Sequence, residues 1–503
     1  VAALIADKMR PGMILFSVVV LFLCAGILTP KEMLEGFSNK GMITVALLFL
    51  VSEGIRQSGT LGQVIKKLLP QGKTTVFKAQ LRILPSVAFI SAFLNNTPVV
   101  VIFAPIIKHW AKSVNLPATK FLIPLSYVTI LGGICTLIGT STNLVVHGMI
   151  LEAGFEGFSM FELGKVGIFI AIAGIIYIFL FSKRLLPDAR PDTAVPDEEV
   201  EEGEKLHRVE AVLGARFPGI NKKLKDFNFQ RHYGAEVKEI KTRNGQRFVS
   251  NLEEVVLHEG DTLVVMADDT FIPTWGESSV FVLLTNGNEP DTTGKKKKRW
   301  FALLLLVLMI VGATVGELPI TKEMFPDIKL DMFFFVSITT IIMAWTNLFP
   351  ARKYTKYISW DILITIACAF AISKAMVNSG VADSVAKFII GLSDDYGPHV
   401  LLAMVFIITN LFTELITNNA AAALAFPLAL SISAQLGVSP TPFFVVICMA
   451  ASASFSTPIG YQTNLIVQGI GNYKFTDFVR IGLPLNIITF LISIILIPLI
   501  WNF

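Results

Sequence analysis

The feature that most constrains the fold of this chain is a series of apolar runs, each long enough to cross a lipid bilayer. A helix needs about 20 apolar residues to span the hydrocarbon core. Hydrophobic residues make up 53% of the 503 residues and charged residues 16%, whereas about a quarter of a soluble protein is charged. The chain is therefore predicted to be a polytopic α-helical membrane protein. The candidate spans are 12–29, 41–57, 121–149, 163–182, 300–318, 331–349, 360–378, 440–470 and 477–501.

Two further apolar runs are each interrupted by a polar triplet. Asparagines at bilayer depth are tolerated where helices break and the freed backbone packs on protein or lines a cavity. We therefore predict two re-entrant helical hairpins, at about 83–110 and about 400–436. The triplets at their tips are Asn95-Asn96-Thr97 and Thr417-Asn418-Asn419.

The two apolar halves look like copies of each other at an offset of 321 or 322 residues. Each half has a span ending in Ser-Gly, a short amphipathic helix, a hairpin and a long apolar run with a polar break. The breaks are at 139–143 (GTSTN) and at 458–464 (PIGYQTN). One extra span, 300–318, separates the halves, so the second copy starts from the opposite side of the membrane. Such inverted repeats with broken helices are typical of secondary transporters. The matching positions are Gly59 and Gly380, Asn96 and Asn418, Thr142 and Thr463, and Asn143 and Asn464.

A polar insert at 188–298 lies between the halves. It shows strand-like alternation, as in 235–240 and 261–266, with turn signals at Asn244-Gly245 and Glu259-Gly260-Asp261. We predict three units: a first transmembrane repeat at 1–187, a small α+β domain in the insert, and a second transmembrane repeat at 299–503.

Basic residues cluster in the loops on one side of this topology, and that side is predicted to be cytosolic. Lys183-Arg184 and the basic run 295–299 flank the insert, which is therefore also predicted to be cytosolic. The basic run is expected to touch anionic lipid of the plasma (inner) membrane. The first residues read like the end of a helix, so we expect that an upstream segment is missing.

Several function classes are disfavoured by the sequence. The net charge of +4 is too small to suggest a nucleic-acid partner. A phosphate-binding GxxxxGK[ST] loop is absent, which argues against ATP-driven transport. The histidines show neither metal-ligand nor triad spacing, and we expect no enzymatic activity.

The broken helices predict an ion site. Helix N-termini attract anions, and unwound carbonyl groups attract Na⁺. Neutral asparagine and threonine side chains add donors and acceptors without a buried charge. Gly139 and Gly460 allow the sharp turns that such breaks need. Glu414, three residues before the second triplet, is interpreted either as a proton-coupling group or as a brace of the hairpin.

These motifs resemble those of the divalent anion/sodium symporter family, related to solute carrier family 13. The resemblance implies a homodimer, an elevator-type mechanism and at least two Na⁺ sites. It places Na⁺ on two sets of residues, Ser91, Asn95, Asn96 and Gly139, and Thr413, Thr417, Asn418 and Gly460. The substrate-binding residues implied are Asn96, Thr97, Thr142, Asn143, Asn418, Asn419, Thr463 and Asn464.

Residues 209–271 of the insert resemble the C-terminal ligand-binding module of K⁺-uptake regulators (TrkA-C). Carriers with such inserts are often sulfate permeases, so the resemblance implies a small inorganic anion, first of all sulfate, as substrate. A dicarboxylate or another oxyanion remains an alternative, and a ligand-gated channel or a membrane sensor remains a further one. The module could bind a nucleotide effector or serve only for dimerisation.

Overall fold

The computed structural model describes residues 11–70, 72–188, 207–214, 217–242, 246–268, 271, 275, 280–285, 296–325, 328–392 and 397–503. Two sequence-based expectations, the turn at Asn244-Gly245 and the helix end before residue 11, lie outside these residues.

The first half contains two helices that face each other across a short polar tip, followed by a helix that is broken in its middle. The tip joins α5 to α6, and the break separates α7 from α8. The helices are α1 (Pro11–Cys24), α2 (Pro30–Glu35), α3 (Lys40–Gln57), α4 (Thr60–Leu68), α5 (Val76–Ser91), α6 (Asn96–Ser113), α7 (Leu122–Gly133), α8 (Ser141–Glu152) and α9 (Gly164–Leu185).

The second half repeats this order of elements. A tip joins α16 to α17, and a break separates α18 from α19. The helices are α11 (Lys296–Gly316), α12 (Pro319–Met324), α13 (Met332–Trp345), α14 (Trp360–Asn378), α15 (Val381–Leu392), α16 (Gly397–Leu415), α17 (Asn418–Leu436), α18 (Thr441–Ser452), α19 (Gln462–Gly471) and α20 (Phe475–Ile500).

The insert forms an antiparallel sheet of order β3-β2-β4-β1-β5 with a short helix, α10 (Phe229–Tyr233). One face of the sheet packs on α10 and on a cluster of aromatic residues, which is separate from the main apolar core. The strands are β1 (His207–Leu213), β2 (Glu236–Lys241), β3 (Arg247–Phe248), β4 (Thr262–Ala267) and β5 (Phe281–Thr285).

The helices form two groups. Pairs such as α5 with α7, α6 with α19, α8 with α17, and α9 with α20 build a group that we call the site bundle, α5–α9 and α16–α20. Alongside it, α14 packs on α1, and α13 packs on α3 and α11. We call α1, α3, α11, α13 and α14 the flanking helices. The two groups meet where α3 contacts α8 and where α14 contacts α17.

Among the described residues, seven helices are long and apolar enough to cross a membrane. Apolar side chains along the outside of α9 and α20 are exposed, as expected of helices that face lipid. Examples one turn apart on α20 are Leu483, Ile487, Leu491 and Ile495.

The observed helices follow the apolar runs, but several of their ends differ. For example, α1 ends at Cys24 rather than at 29, and α13 ends at Trp345 rather than at 349. The first hairpin begins at Val76 rather than near residue 83, because its first two turns carry Lys78, Gln80 and Arg82 among apolar residues. Both long runs are broken beside the predicted motifs. The breaks extend over 134–140 and 453–461, and residues 141–143 and 462–464 already begin the next helices.

Candidate functional site

The tip of the first hairpin contacts the break of the second half. The Nδ2 group of Asn96 donates a hydrogen bond of 2.6 Å to the hydroxyl of Tyr461. The next residue, Thr97, donates to the side-chain oxygen of Gln462 at 3.4 Å. These residues lie 365 positions apart in the chain, so the contact joins the two repeats.

The tip of the second hairpin contacts the break of the first half in the same way. The side-chain oxygen of Asn419 accepts hydrogen bonds from Ser141 at 3.2 Å and from Thr142 at 3.3 Å. The two breaks are also joined directly, because the hydroxyls of Thr140 and Tyr461 are 3.0 Å apart. The two tips and the two breaks therefore form one junction.

Four helices begin at this junction, namely α6, α8, α17 and α19. Their N-cap residues are Asn95, Thr140, Thr417 and Tyr461. In this part of the described chain, none of the four N-cap side chains accepts a hydrogen bond from its own helix. The N-termini of four helices thus converge on the junction, and the side chains named there are all neutral. Such a site favours an anion, since the partial positive charges of helix N-termini act together.

Each tip also carries oxygen atoms suited to a cation. Ser91 donates to the Oδ1 of Asn96 at 2.7 Å. The equivalent residue Thr413 lies 3.5 Å from the Oδ1 of Asn418. Ser91, Asn96 and Thr413 are almost fully buried and Asn418 is buried. Unwound backbone carbonyl groups coordinate Na⁺ where membrane helices break, and neutral hydroxyl and amide oxygens beside them are further acceptors.

The two break glycines lie against carbonyl oxygens of these tips. A Cβ on Gly139 would lie 2.5 Å from the carbonyl oxygen of Gly133 and 3.0 Å from that of Ala92. A Cβ on Gly460 would collide with the carbonyl oxygen of Thr413 and the hydroxyl of Ser454. Only glycine allows the breaks to approach the tips so closely.

The two breaks are braced by equivalent side chains. Thr136 donates to the carbonyl oxygen of Ala92, and Thr457 donates to that of Glu414 at 3.0 Å. Asn143 donates to the carbonyl oxygen of Thr136 at 2.9 Å. Its counterpart Asn464 donates to the carbonyl oxygen of Thr457 at 3.2 Å. The amide N–H groups of Asn143 and Asn464 thus hold the breaks in shape. The substrate contact expected of both residues stays a prediction.

The other predicted residues lie at the edge of the junction. Asn95 is half-buried and lines a narrow gap between the site bundle and α3, while Thr417 is exposed at the second tip. Thr463 is buried, and its hydroxyl accepts a hydrogen bond of 2.9 Å from Ser126. Sequence reasoning missed Thr140, Ser141, Tyr461 and Gln462 as junction residues, although all four stand within or beside the quoted break motifs.

Glu414 is held by backbone and side-chain donors. Its carboxylate accepts hydrogen bonds from the backbone N–H groups of Ser456 at 2.9 Å and Thr457 at 2.8 Å. The side chain of Asn486 on α20 donates to it at 2.7 Å. These contacts tie the second tip, the second break and α20 together, which favours the interpretation of Glu414 as a brace.

A cavity of about 670 Å³ opens beside α3, α8 and the loop that follows α8. Lys40, His147, Glu317 and Asp331 are among the residues that line it, and it reaches Leu144. Leu144 follows Ser141 by one helical turn on α8, so this cavity approaches the junction along α8.

Comparisons with known proteins identify the family. A family model described as "Citrate transporter" (CitMHS) matches residues 1–431 and 328–502. The chain belongs to the citrate transporter family. An uncharacterized transporter of Synechocystis is 30% identical over 96% of this chain and 93% of its own length. The probable sodium/sulfate cotransporter 3 of Chlamydomonas reinhardtii is 23% identical, with 96% of this chain and 85% of its own length covered.

The fold of this citrate transporter family member also has a counterpart among solved structures. The crystal structure of the Alcanivorax borkumensis YdaH transporter matches with a TM-score of 0.52 over 93% of this chain and 87% of that chain. At 12% sequence identity, this likeness concerns the fold alone. The chain is therefore a multi-pass membrane transporter, and its family and relatives are transporters rather than enzymes.

Proposed function

We propose that this chain is a Na⁺-coupled symporter of a divalent inorganic anion, with sulfate as the leading substrate. The observation that carries the proposal is the convergence of four helix N-termini on one junction lined by neutral side chains. An anion at this junction would be held by backbone N–H groups and by the residues of the two tips. The sodium/sulfate cotransporter among the relatives supports both the anion and the coupling ion.

Coupling follows from residues that belong to both kinds of site. The Oδ1 of Asn96 accepts a hydrogen bond from Ser91, within the proposed Na⁺ site. The Nδ2 of the same side chain donates to Tyr461, within the proposed anion site. A Na⁺ ion bound by that oxygen would fix the orientation of the same amide. Cation binding at the tips would therefore organise the anion site, and the anion would bind weakly without it.

The mechanism that we propose is alternating access by an elevator movement. In it the two hairpins are re-entrant, the halves form an inverted repeat, and the site bundle moves against the flanking helices within a homodimer. The domain boundaries 1–187, 188–298 and 299–503 belong to the same proposal. The insert is proposed to be a cytosolic TrkA-C-like domain at the inner face of the plasma membrane. The class of effector proposed for it is a nucleotide.

A carboxylate substrate is the second candidate, because the matching family model is described as a citrate transporter. Dicarboxylates and citrate present separated carboxylates, whereas sulfate is compact. The same helix N-termini would hold one carboxylate of such a substrate. Competition between these anions decides between the two candidates.

The test is thermal stabilisation of the purified protein in Na⁺ or K⁺, each with sulfate, succinate, citrate or phosphate. A ligand of the folded state raises the melting temperature according to its concentration relative to its dissociation constant. We expect sulfate to stabilise the protein only when Na⁺ is present. Stabilisation by citrate or succinate alone would select the carboxylate candidate, and stabilisation by no anion would contradict the proposed site.

A further inference from the structure

The sheet of the insert is buried on both of its faces. On β1 and β4, residues such as Val209, Ala211 and Leu263 face the insert's own core. Strand geometry points the alternate residues to the opposite face, yet Val212, Thr262 and Val264 are also buried. Val212 belongs to the main apolar core of the transmembrane helices rather than to the core of the insert. The second face is therefore covered by the membrane part of the chain.

One contact of this face is made to α6. Glu210 on β1 forms an ion pair of 3.0 Å with Lys108. The same carboxylate pairs with Lys241 of β2 at 3.2 Å, so Glu210 is held from both sides. The side chains of Glu210 and Lys108 are 15% and 25% exposed. A partly buried charge pair with two bases contributes more than a surface pair, because less solvent screens it.

The other contact is made to α19. A Cβ on Gly260 would touch the side chain of Leu465, at 3.3 to 3.7 Å. A Cβ on Gly469 would lie 2.5 Å from the hydroxyl oxygen of Thr262 and 3.8 Å from the Cβ of Thr262. Backbone and side chain of the insert thus lie directly on this helix, at a place where glycine permits close approach.

Both contacted helices begin at the anion junction, α6 with Asn96 and α19 with Gln462. Gly469 lies two turns beyond Gln462, which corresponds to about 10 Å along the helix axis. The insert follows α9 of the site bundle in the chain and precedes α11 of the flanking helices. The chain connections alone therefore do not show whether the insert belongs with the site bundle or with the flanking helices. Its contacts with α6 and α19 assign it to the site bundle.

We propose that the insert moves as one body with the site bundle during transport and that this interface stays closed throughout the cycle. A ligand bound to the insert would then act on the site through α6 and α19 rather than through the flanking helices. The proposed joint movement rests on the elevator mechanism given under Proposed function. The contacts of the insert with α6 and α19 are observed independently of that mechanism.

The test is a disulfide between Thr262→Cys and Gly469→Cys, in a background without the four native cysteines. The Cβ separation of 3.8 Å equals the mean found in disulfides, about 3.8 Å. Among the described residues the hydroxyl of Thr262 has no hydrogen-bond partner, so its replacement removes no hydrogen bond. We expect the bond to form on oxidation and anion uptake to stay at half or more of its reduced level.

A matched control links the site bundle to the flanking helices. Asn39 precedes α3 and donates to the carbonyl oxygen of Gly148 on α8 at 3.4 Å. An oxidised Asn39→Cys/Gly148→Cys pair is expected to stop uptake, and a reductant should restore it. Failure of the Thr262/Gly469 disulfide to form, or a reversible block of uptake by it, would overturn the proposal.

Spin-label distances test the movement without any substrate. The distance between labels at Lys238 of the insert and Lys112 of α6 should be the same in Na⁺ and in K⁺. The distance between labels at Lys238 and Tyr354, which follows α13, should differ between Na⁺ and K⁺. The opposite pattern, or two constant distances, would overturn the proposal. Uptake by the cysteine-free parent tests the transport function separately, so the two failures are distinguishable.

Discussion

Single residues determine how closely the breaks approach the hairpin tips. Gly139 and Gly460 lie against backbone carbonyl oxygens at the ends of the neighbouring helices, and Asn143 and Asn464 hold the loops around them. Most of the side chains that hold the breaks against the tips carry no charge. The exception is Glu414, which ties the second tip to the second break and to α20.

Gly460→Ala is expected to destabilise the protein by about 1–3 kcal/mol, because its methyl group would collide with Thr413 and Ser454. The matched control is Gly391→Ala on α15, where an added Cβ meets no atom within 4 Å. Melting temperature in detergent measures the difference. Equal melting temperatures for the two variants would contradict the close packing of Gly460 against Thr413 and Ser454.

Glu414→Ala is expected to lower the melting temperature more than Glu414→Gln, since Gln can still accept one of the two backbone N–H bonds. If Glu414 is a brace, the Gln variant should keep Na⁺-dependent uptake with an unchanged pH profile. A loss of pH dependence in that variant would instead identify Glu414 as a proton-coupling group.

At the scale of elements, the insert is joined to α6 by an ion pair whose strength depends on pH. Burial raises the pKa of Glu210, but Lys108 and Lys241 outweigh this effect and lower its pKa from 4.5 to about 2. A lowered pKa means that the ionised carboxylate favours the folded, docked state. This contribution is fully present above pH 4.5 and is lost as the pH falls toward 2.

Glu210→Gln should therefore lower the melting temperature equally at pH 8 and pH 6, and the difference from the parent should shrink below about pH 4.5. The control is Glu236→Gln on β2, an exposed carboxylate that pairs with Lys238 two residues further along the same strand. A difference that already disappears between pH 8 and pH 6 would contradict the assigned pair.

The elements themselves were largely predictable from the sequence. The polar triplets and the break motifs located both tips and both breaks, because an asparagine inside an apolar run is costly unless the helix breaks there. The start of α5 was not predictable, since an apolar-run criterion overlooks the mixed first turns around Lys78. Tyr461 and Gln462 could not be assigned, because their roles depend on contacts with Asn96 and Thr97 in the other repeat.

At the scale of the whole molecule, the repeat explains why the site needs both halves. Each hairpin tip binds the break of the opposite repeat, and Thr140 joins Tyr461 between them. Neither half alone would bring four helix N-termini together. The large cavity reaches Leu144 on α8, one helical turn from Ser141 at the junction.

The measurement that tests this account most directly is uptake of ³⁵S-sulfate into proteoliposomes with an inward Na⁺ or K⁺ gradient. We predict uptake only with Na⁺, at least a tenfold loss in Asn96→Ala, and normal uptake in Asn378→Ala, whose side chain is exposed at the end of α14. Uptake that is equal in Na⁺ and K⁺, or unaffected by Asn96→Ala, would contradict a Na⁺-coupled anion site at the junction.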